Sequence, residues 1–379
     1  VIVGDPKQMP PTTFFQTQLS SEEDIINGNM ESVLDDCITL GMPDHYLNYH
    51  YRSRHESLIA FSNHYYYDDK LVTFPSADNR ISHLHYCYVE SVYDYSATRT
   101  NRLEAEALVL EVIRRLGNPE QSRCSMGIIA FSKVQQDLIE ELLSEQLSRR
   151  HDLEKRAFGE NREPLFVKNL ENVQGDERDV IFLSVGYGPD KDGKISMNFG
   201  PLNNAGGERR LNVAVTRARQ EMLVFTGMHS EDIDLSKSQA LGVEGLKNFL
   251  YYAEHHELPQ DIAAPGQNYP LHPIAVQLAD VLRNEGYRVD TGVGQSDFRI
   301  DVAVVNPACP DMYLLGIQID GRRYYQTPTM RDRALVQPDV LQGLGWKIVH
   351  IWQEDYFHSP QIVIRQLLNI LTQTTNNQQ

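Results

Sequence analysis

Apolar positions along this chain follow two rhythms. Short unbroken runs such as Val180-Ile181-Phe182-Leu183 and Gly127-Ile128-Ile129-Ala130-Phe131 read as buried strands. Between them, apolar residues recur every three to four positions. Leu103, Ala107, Leu108, Leu110, Val112 and Ile113 predict a helix over Asn101–Leu116, and a second helix follows over Val134–Leu147. Further strands are predicted at Tyr86–Glu90, Leu165–Val167 and Met222–Thr226, and a helix at Val243–Tyr252. Strands alternating with helices of this length predict a parallel α/β sheet. Leu211, Ala214, Val215 and Ala218 fall at i, i+3, i+4 and i+7, which predicts one helix through residue 219 with Arg210 and Arg217 on a shared face.

A polar stretch, Leu258–Gly266, then reads as a linker. After it come a helix at His272–Gly286, strands beginning at Tyr287 and spanning Phe298–Val305 and Tyr313–Gly321, a helix at Ala334–Leu344 and a strand at Trp346–Trp352. The polar tail Thr372–Gln379 reads as frayed. Residues 21–45 read as acidic and helical, with Ser21 as cap before Glu22-Glu23-Asp24.

Composition narrows the class. The 379 residues are 41% apolar and 23% charged, which suits a soluble chain of two or more domains. No run approaches the roughly 20 apolar residues of a membrane span, and no signal peptide is visible. Cys37, Cys87, Cys124 and Cys309 form no CxxC pair, so they suggest neither a zinc site nor a disulfide framework, and a cytoplasmic location is expected. A net charge of −17 argues against wholesale coating of nucleic acid; any contact must be a local groove.

The chemistry concentrates in four stretches. Val1-Ile2-Val3 runs into Gly4-Asp5-Pro6-Lys7-Gln8, a strand entering a rigid polar loop. Tyr49-His50-Tyr51-Arg52-Ser53 precedes Ile59-Ala60-Phe61-Ser62-Asn63 and Tyr65-Tyr66-Tyr67. Glu171-Asn172-Val173-Gln174-Gly175-Asp176-Glu177-Arg178-Asp179 precedes the central strand, and Arg209-Arg210-Leu211-Asn212-Val213-Ala214-Val215-Thr216-Arg217-Ala218-Arg219 closes the set. In this order they resemble motifs III to VI of superfamily 1 helicases, the large bacterial kind with a nuclease-like tail. The resemblance implies a RecA-like parallel sheet domain followed by a smaller restriction-endonuclease-like α/β domain. The expected bounds are 1–20 for the end of a first RecA-like domain, 21–257 for the second, 258–267 for the linker and 268–379 for the tail domain.

The resemblance also assigns roles. Gln8 senses the terminal phosphate, and Arg52 and Arg217 act as arginine fingers, a device worth roughly 10³–10⁵ in rate in known systems. Gly175, Glu177 and Arg210 belong to the nucleotide side, Glu177 at the ribose or aligning the phosphate loop and Arg210 orienting neighbouring carboxylates. Gln136, in a weakened TPYxxQ motif, and Thr216 are implied to contact nucleic acid. The tyrosines at 65–67 read as packing rather than stacking platforms. ATP and Mg²⁺ are the implied cofactors and single-stranded nucleic acid the implied partner. The sequence contains no G-x-x-x-x-G-K-[ST], so it is expected to supply half of an ATP site and not to hydrolyse ATP alone.

Residues Leu271 to Phe357 resemble the very-short-patch-repair-like branch of the restriction-endonuclease fold. Asp301 and Asp320, on neighbouring strands, are the implied Mg²⁺ ligands of its nuclease site. The chain departs from that pattern. Gln318 stands where a carboxylate is usual, Tyr325 where a histidine is usual, and Ala334 and Gln337 replace a charged pair. These changes imply a nuclease fold whose catalysis has decayed, with Arg322, Arg323, Arg331 and Arg333 favouring a grip on duplex. An active nuclease and a protein-docking module are the alternatives. Their neutral reading is that Asp301 and Asp320 cap turns at a sheet edge.

Overall fold

A computed structural model describes residues 1–9, 32–159, 163–259, 270–321 and 329–376. The expectations on Ser21–Asp24, on the linker beyond Pro259, and on Arg322, Arg323, Tyr324 and Tyr325 lie outside those residues.

The chain packs as two compact units. One comprises Val1–Asn48, Phe61–Asp68 and Leu84–Pro259; the other comprises Tyr49–Ala60, Asp69–His83 and Gln260–Gln379. The expected boundary at 258–267 is therefore only one of the places where the chain passes between units.

The first unit is built on five parallel strands, β1 (Leu84–Tyr88), β2 (Met126–Ala130), β3 (Phe166–Asn169), β4 (Arg178–Ser184) and β5 (Ala218–Thr226), in the order β1-β5-β4-β2-β3. This is the expected RecA-like parallel α/β architecture. β2 is buried along its whole length and β4 from Val180 onward, as their unbroken apolar runs require. One face is covered by the helices Arg102–Gly117 and Lys133–Leu147, whose Leu108, Val112, Ile139 and Leu143 pack on Ile128 and Phe182. Asn101 caps the first helix, its side chain accepting from the Glu104 N–H, and Ser132 caps the second in the same way.

One predicted helix is cut short. It spans Gly207–Val215, and Ala218 opens β5 instead of completing the apolar stripe. Val213, Val215 and Thr216 are β-branched and favour leaving the helix. The Thr216 hydroxyl turns back onto the Asn212 and Val213 carbonyls at 2.8 and 3.1 Å, and Ala218 pairs with Arg178 of β4. Arg210 and Arg217 thus share no helical face.

The second unit carries a mixed sheet, β6 (Val289–Val293), β7 (Ile300–Val305), β8 (Tyr313–Asp320) and β9 (Ile348–Trp352), in that order. The first three are antiparallel, and β9 runs parallel to β8. The helices Pro273–Asn284 and Pro360–Asn376 bury one face through Leu278, Leu282, Leu367 and Leu371. Phe74, Ala77, Leu341 and Trp346 bury the other. Trp346 Nε1 donates to the Pro75 carbonyl at 2.8 Å, and Tyr313 N–H donates to the Ala77 carbonyl at 2.7 Å. These bonds account for the grouping of 69–83 with this unit. The tail expected to fray is helical through Asn376. Leu371 is fully buried, and Thr372 and Thr375 return their hydroxyls to the Leu368 and Leu371 carbonyls.

Candidate nucleotide and nucleic-acid site

In the first unit, two distant stretches meet. The Asp5 carboxylate closes the Gly4–Gln8 loop on itself, accepting from Lys7 N–H at 2.9 Å and from Gln8 Nε2 at 2.8 Å. The Tyr67 hydroxyl donates to the same carboxylate at 2.8 Å. Burial, with the adjacent Asp5 charge, holds that phenol well above its ordinary pKa. Asn212, fully buried in the helix Gly207–Val215, donates to the Lys7 carbonyl at 2.9 Å and to the Tyr67 oxygen at 3.0 Å. Gln174 Nε2 donates to the Met9 carbonyl at 3.2 Å. The loop bearing Gln8 is thus held by the two stretches that precede and follow β4. Asn212 and Tyr67 were not singled out by sequence reasoning. Their signal was position alone, one inside the basic helix and one in the tyrosine run.

The remaining candidates divide. Gly175 sits in a turn closed by Asp176 N–H on the Val173 carbonyl, at φ +89°, a backbone region that favours glycine. Gly207 is needed for space, since a Cβ there would stand 2.3 Å from the Leu202 carbonyl oxygen. Arg210 donates to the Ala205 carbonyl at 3.0 Å and lies 3.6 Å from the Glu171 carboxylate. Glu177 lies 3.6 Å from Arg219, which also pairs with Asp179 at 3.1 Å and with Glu163.

Arg217 is 1% exposed. Its guanidinium donates to the Val213 carbonyl at 2.7 Å, to Thr216 Oγ1 at 3.0 Å and to the Asp176 carbonyl at 3.4 Å. It therefore ties the helix end to the turn at Gly175. Arg52 lies in Tyr49–Ala60, a segment of the second unit.

A cavity of about 540 Å³ opens beyond the carboxyl ends of β2, β3 and β4, where ligands of open parallel sheets bind. Tyr93, Tyr95, Tyr187, Arg99, Ser132 and Lys133 are among its lining residues. Gln136 is not. Its amide is committed to Glu140 at 2.7 Å, to the Val167 carbonyl at 3.1 Å and to Asn169 at 3.1 Å. The neighbouring Gln135 is fully buried and ties the first helix's start to β4. It bonds Asn101 through both backbone groups and reaches Ser184 Oγ at 3.2 Å. Glu104 accepts from Ser184 Oγ at 2.7 Å and from Gly186 N–H at 2.8 Å. Burial pushes its carboxyl up to about 8, against the pull of those two bonds.

In the second unit, Asp301 and Asp320 stand on neighbouring strands. Asp301 Oδ2 accepts from Ile319 N–H at 2.8 Å, and Asp320 Oδ1 lies 3.4 Å from His350 Nδ1. Burial pushes the Asp301 carboxyl up to about 6; the Asp320 charge adds to this, while the Ile319 bond and His272 oppose it. His272 and Gln353 come close to Gly321, where an added Cβ would meet His272 Nε2 at 2.7 Å and Gln353 Oε1 at 3.3 Å. These neighbours come from three separate elements with no local spacing to reveal them. A Mg²⁺ ion takes several hard oxygens and anionic charge. Here one carboxylate oxygen is spent on a backbone N–H, Asp320 faces an imidazole and Gln318 brings no charge. The two aspartates still offer the one or two carboxylates that Mg²⁺ commonly takes, with less anionic charge than a site that has a third.

Comparisons with known proteins agree with the two-part architecture. The AAA domain family model (AAA_12) matches residues 29–229, and the model REase_MTES_1575 matches residues 275–371. An uncharacterized ATP-dependent helicase of Mycoplasma pneumoniae is 28% identical over 99% of this chain and 35% of its own length. Its Mycoplasma genitalium counterpart is 36% identical over 67% of this chain and 23% of its own. The mouse 5'-3' DNA helicase ZGRF1 is 26% identical over 59% of this chain and 11% of its own length. The chain thus spans about a third or less of the length of these relatives. Among solved structures, the C-terminal domain of a possible DNA helicase from Lactobacillus plantarum is 18% identical over 47% of this chain and 88% of its own. Its TM-score of 0.26 is too low to carry a fold assignment. With the loop of Gln8, the turn of Gly175 and the helix of Asn212 meeting on one parallel sheet, and a family model covering more than half its residues, the chain belongs to the helicase-type AAA domain family, joined to a restriction-endonuclease-like domain.

Proposed function

We propose that the chain is part of an ATP-dependent, nucleic-acid-translocating helicase and supplies one half of its ATP site. The observation that carries this reading is the bond from Asn212 to the Lys7 carbonyl, which links the loop of the phosphate-sensing Gln8 to the helix expected to face nucleotide. Such a link lets a change at a terminal phosphate be felt across the sheet. Arg52 reaches the triphosphate as the finger. The buried Arg217 serves mainly by fixing the geometry of the Gly175 turn. Gly175, Glu177 and Arg210 frame the nucleotide side, where ATP would enter with Mg²⁺.

Single-stranded nucleic acid runs through the cavity at the strand ends. Tyrosines beside Arg99 and Lys133 supply the stacking faces and phosphate contacts that sequence-tolerant binding uses. A local basic and aromatic groove also answers the difficulty raised by a net charge of −17.

The restriction-endonuclease-like domain grips nucleic acid without cutting it. Support comes from the neutral Gln318 and from the Asp301 oxygen committed to Ile319.

The test is nucleic-acid-stimulated ATP hydrolysis by the full-length protein. Arg99→Gln with Lys133→Gln should raise the concentration of single strand needed for half-stimulation by about tenfold, on the order of 1.4 kcal/mol, and leave the unstimulated rate alone. No stimulation of the parent protein by any nucleic acid would overturn the reading.

A further inference from the structure

Among the described residues, His55, Asp78 and His83 form a group of metal-type side chains, all in the second unit, whose ligand atoms lie within 4.8 Å of one another. None of the three is required by the motor or nuclease readings. His55 is 4% exposed and heads the short turn Glu56–Leu58. Its Nδ1 is engaged by Ser57, at 2.7 Å from Oγ and 3.1 Å from N–H. Its Nε2 is shut off from solvent and meets no well-aligned hydrogen-bond partner, with the Asp78 main chain as its polar neighbour. Buried imidazole nitrogens are ordinarily well bonded, and this one is held only weakly.

The other two groups face it. The His83 ring centroid is 4.4 Å from that of His55, and His83 Nε2 lies 3.0 Å from Asp78 Oδ2. Ser57 Oγ also accepts from His83 N–H at 3.0 Å, so one hydroxyl fixes both histidine positions. Ser76 lies beside Asp78, and its buried hydroxyl helps to hold that carboxylate ionised.

We propose that His55, Asp78 and His83 bind one divalent transition ion of the zinc class, which staples the segment Tyr49–Ala60 to Asp69–His83. Two imidazoles and a carboxylate suit zinc and its neighbours, and offer too few oxygens for calcium or magnesium. Bonds of about 2.0–2.2 Å to one centre require the ligand atoms to draw in by roughly an ångström. Coordination through His55 Nε2 puts the ring proton on Nδ1, where it donates to Ser57 Oγ; the Ser57 N–H gives up its contact in exchange. A fourth position remains for water, within reach of the Ser76 side. No cysteine takes part, and the spacing from 55 to 78 to 83 matches no short metal motif.

The experiment uses the chain freed of metal with a chelator and then titrated with zinc chloride. We expect about one equivalent bound per chain and a melting midpoint raised by several degrees at a hundredfold excess over Kd. Replacing zinc with Co²⁺ should give the visible absorption of a four-coordinate nitrogen and oxygen site. That measurement needs no variant and stands even if substitutions unfold the protein. His83→Gln and Asp78→Asn should each weaken binding at least tenfold. Zinc bound with equal affinity by both folded variants, or no cobalt spectrum and no stoichiometric uptake by the parent chain, would overturn the proposal.

Discussion

Asn212 and Lys7 are 205 positions apart, yet the Asn212 side chain donates to the Lys7 carbonyl at 2.9 Å. The same amide holds the Tyr67 oxygen at 3.0 Å. A fully buried residue thus fixes the loop expected to sense phosphate. Asn212→Ala leaves that carbonyl without this donor. Thermal or denaturant unfolding should show a loss of about 1–2 kcal/mol. In the full-length protein, stimulation of ATP hydrolysis by nucleic acid should fall more than the basal rate. Equal loss of both would argue that the bond only supports the fold.

Arg217 separates fold from chemistry in another way. Its guanidinium bonds the Val213 and Asp176 carbonyls inside the unit. Arg217→Ala should cost about 3 kcal/mol by chemical denaturation, because several buried acceptors lose a charged donor at once. If the reading of Arg217 as a positioning residue holds, Arg217→Lys should recover little stability, since a point charge cannot span three acceptors. Hydrolysis per folded molecule should then fall mainly through the nucleotide KM. A loss confined to kcat would instead restore Arg217 as a finger.

Glu104 should make the protein lose stability as pH rises from about 4.5 to about 8. Its folded carboxyl is raised to about 8, above the ordinary carboxylate range. The folded state therefore holds a proton that the unfolded state releases between roughly pH 4.5 and 8. Stability from this group is complete below the unfolded pKa and is lost as pH rises through about 8. Melting midpoints measured from pH 5 to 9 should fall across that window. Glu104→Gln, which keeps the bond from Ser184, should flatten the curve and be the more stable protein above pH 8.

The restriction-endonuclease-like domain should show no Mg²⁺-dependent cleavage above an Asp301→Ala control, measured on duplex and single-stranded DNA with the whole chain. Gln318→Glu alone should not restore cutting, because the Asp301 oxygen remains bonded to Ile319 N–H. Cleavage by the parent chain, abolished in the control, would contradict the non-catalytic reading.

Much of this architecture was legible in the sequence. The strands at 128–130 and 180–184 are buried on both faces, so an apolar run identifies them without help from neighbours. Helices ended by clear caps, such as Asn101 and Ser132, were placed to within a residue or two. The failure at Ala218 has a physical cause. Its alanine fits a helical stripe equally well, and only pairing with Arg178 across the sheet decides for a strand. The helix at the tail was missed because its polar threonines satisfy themselves on the preceding turn, while Leu371 does the packing. Site residues that act through tertiary contact, namely Asn212, Gln135, His272 and His350, carry no local spacing and could not be read from neighbours in the chain.

The second unit's assembly from three stretches of chain has an evolutionary consequence. Trp346 rests on Pro75, and Tyr313 on Ala77, so the sheet that carries Asp301 and Asp320 is covered by residues encoded 271 and 236 positions earlier. A gene fusion or deletion with its breakpoint in the linker would move the sheet without its cover. The two parts should therefore be inherited together, and the domain behaves less as a detachable appendage than as a unit threaded through the sequence of the one before it.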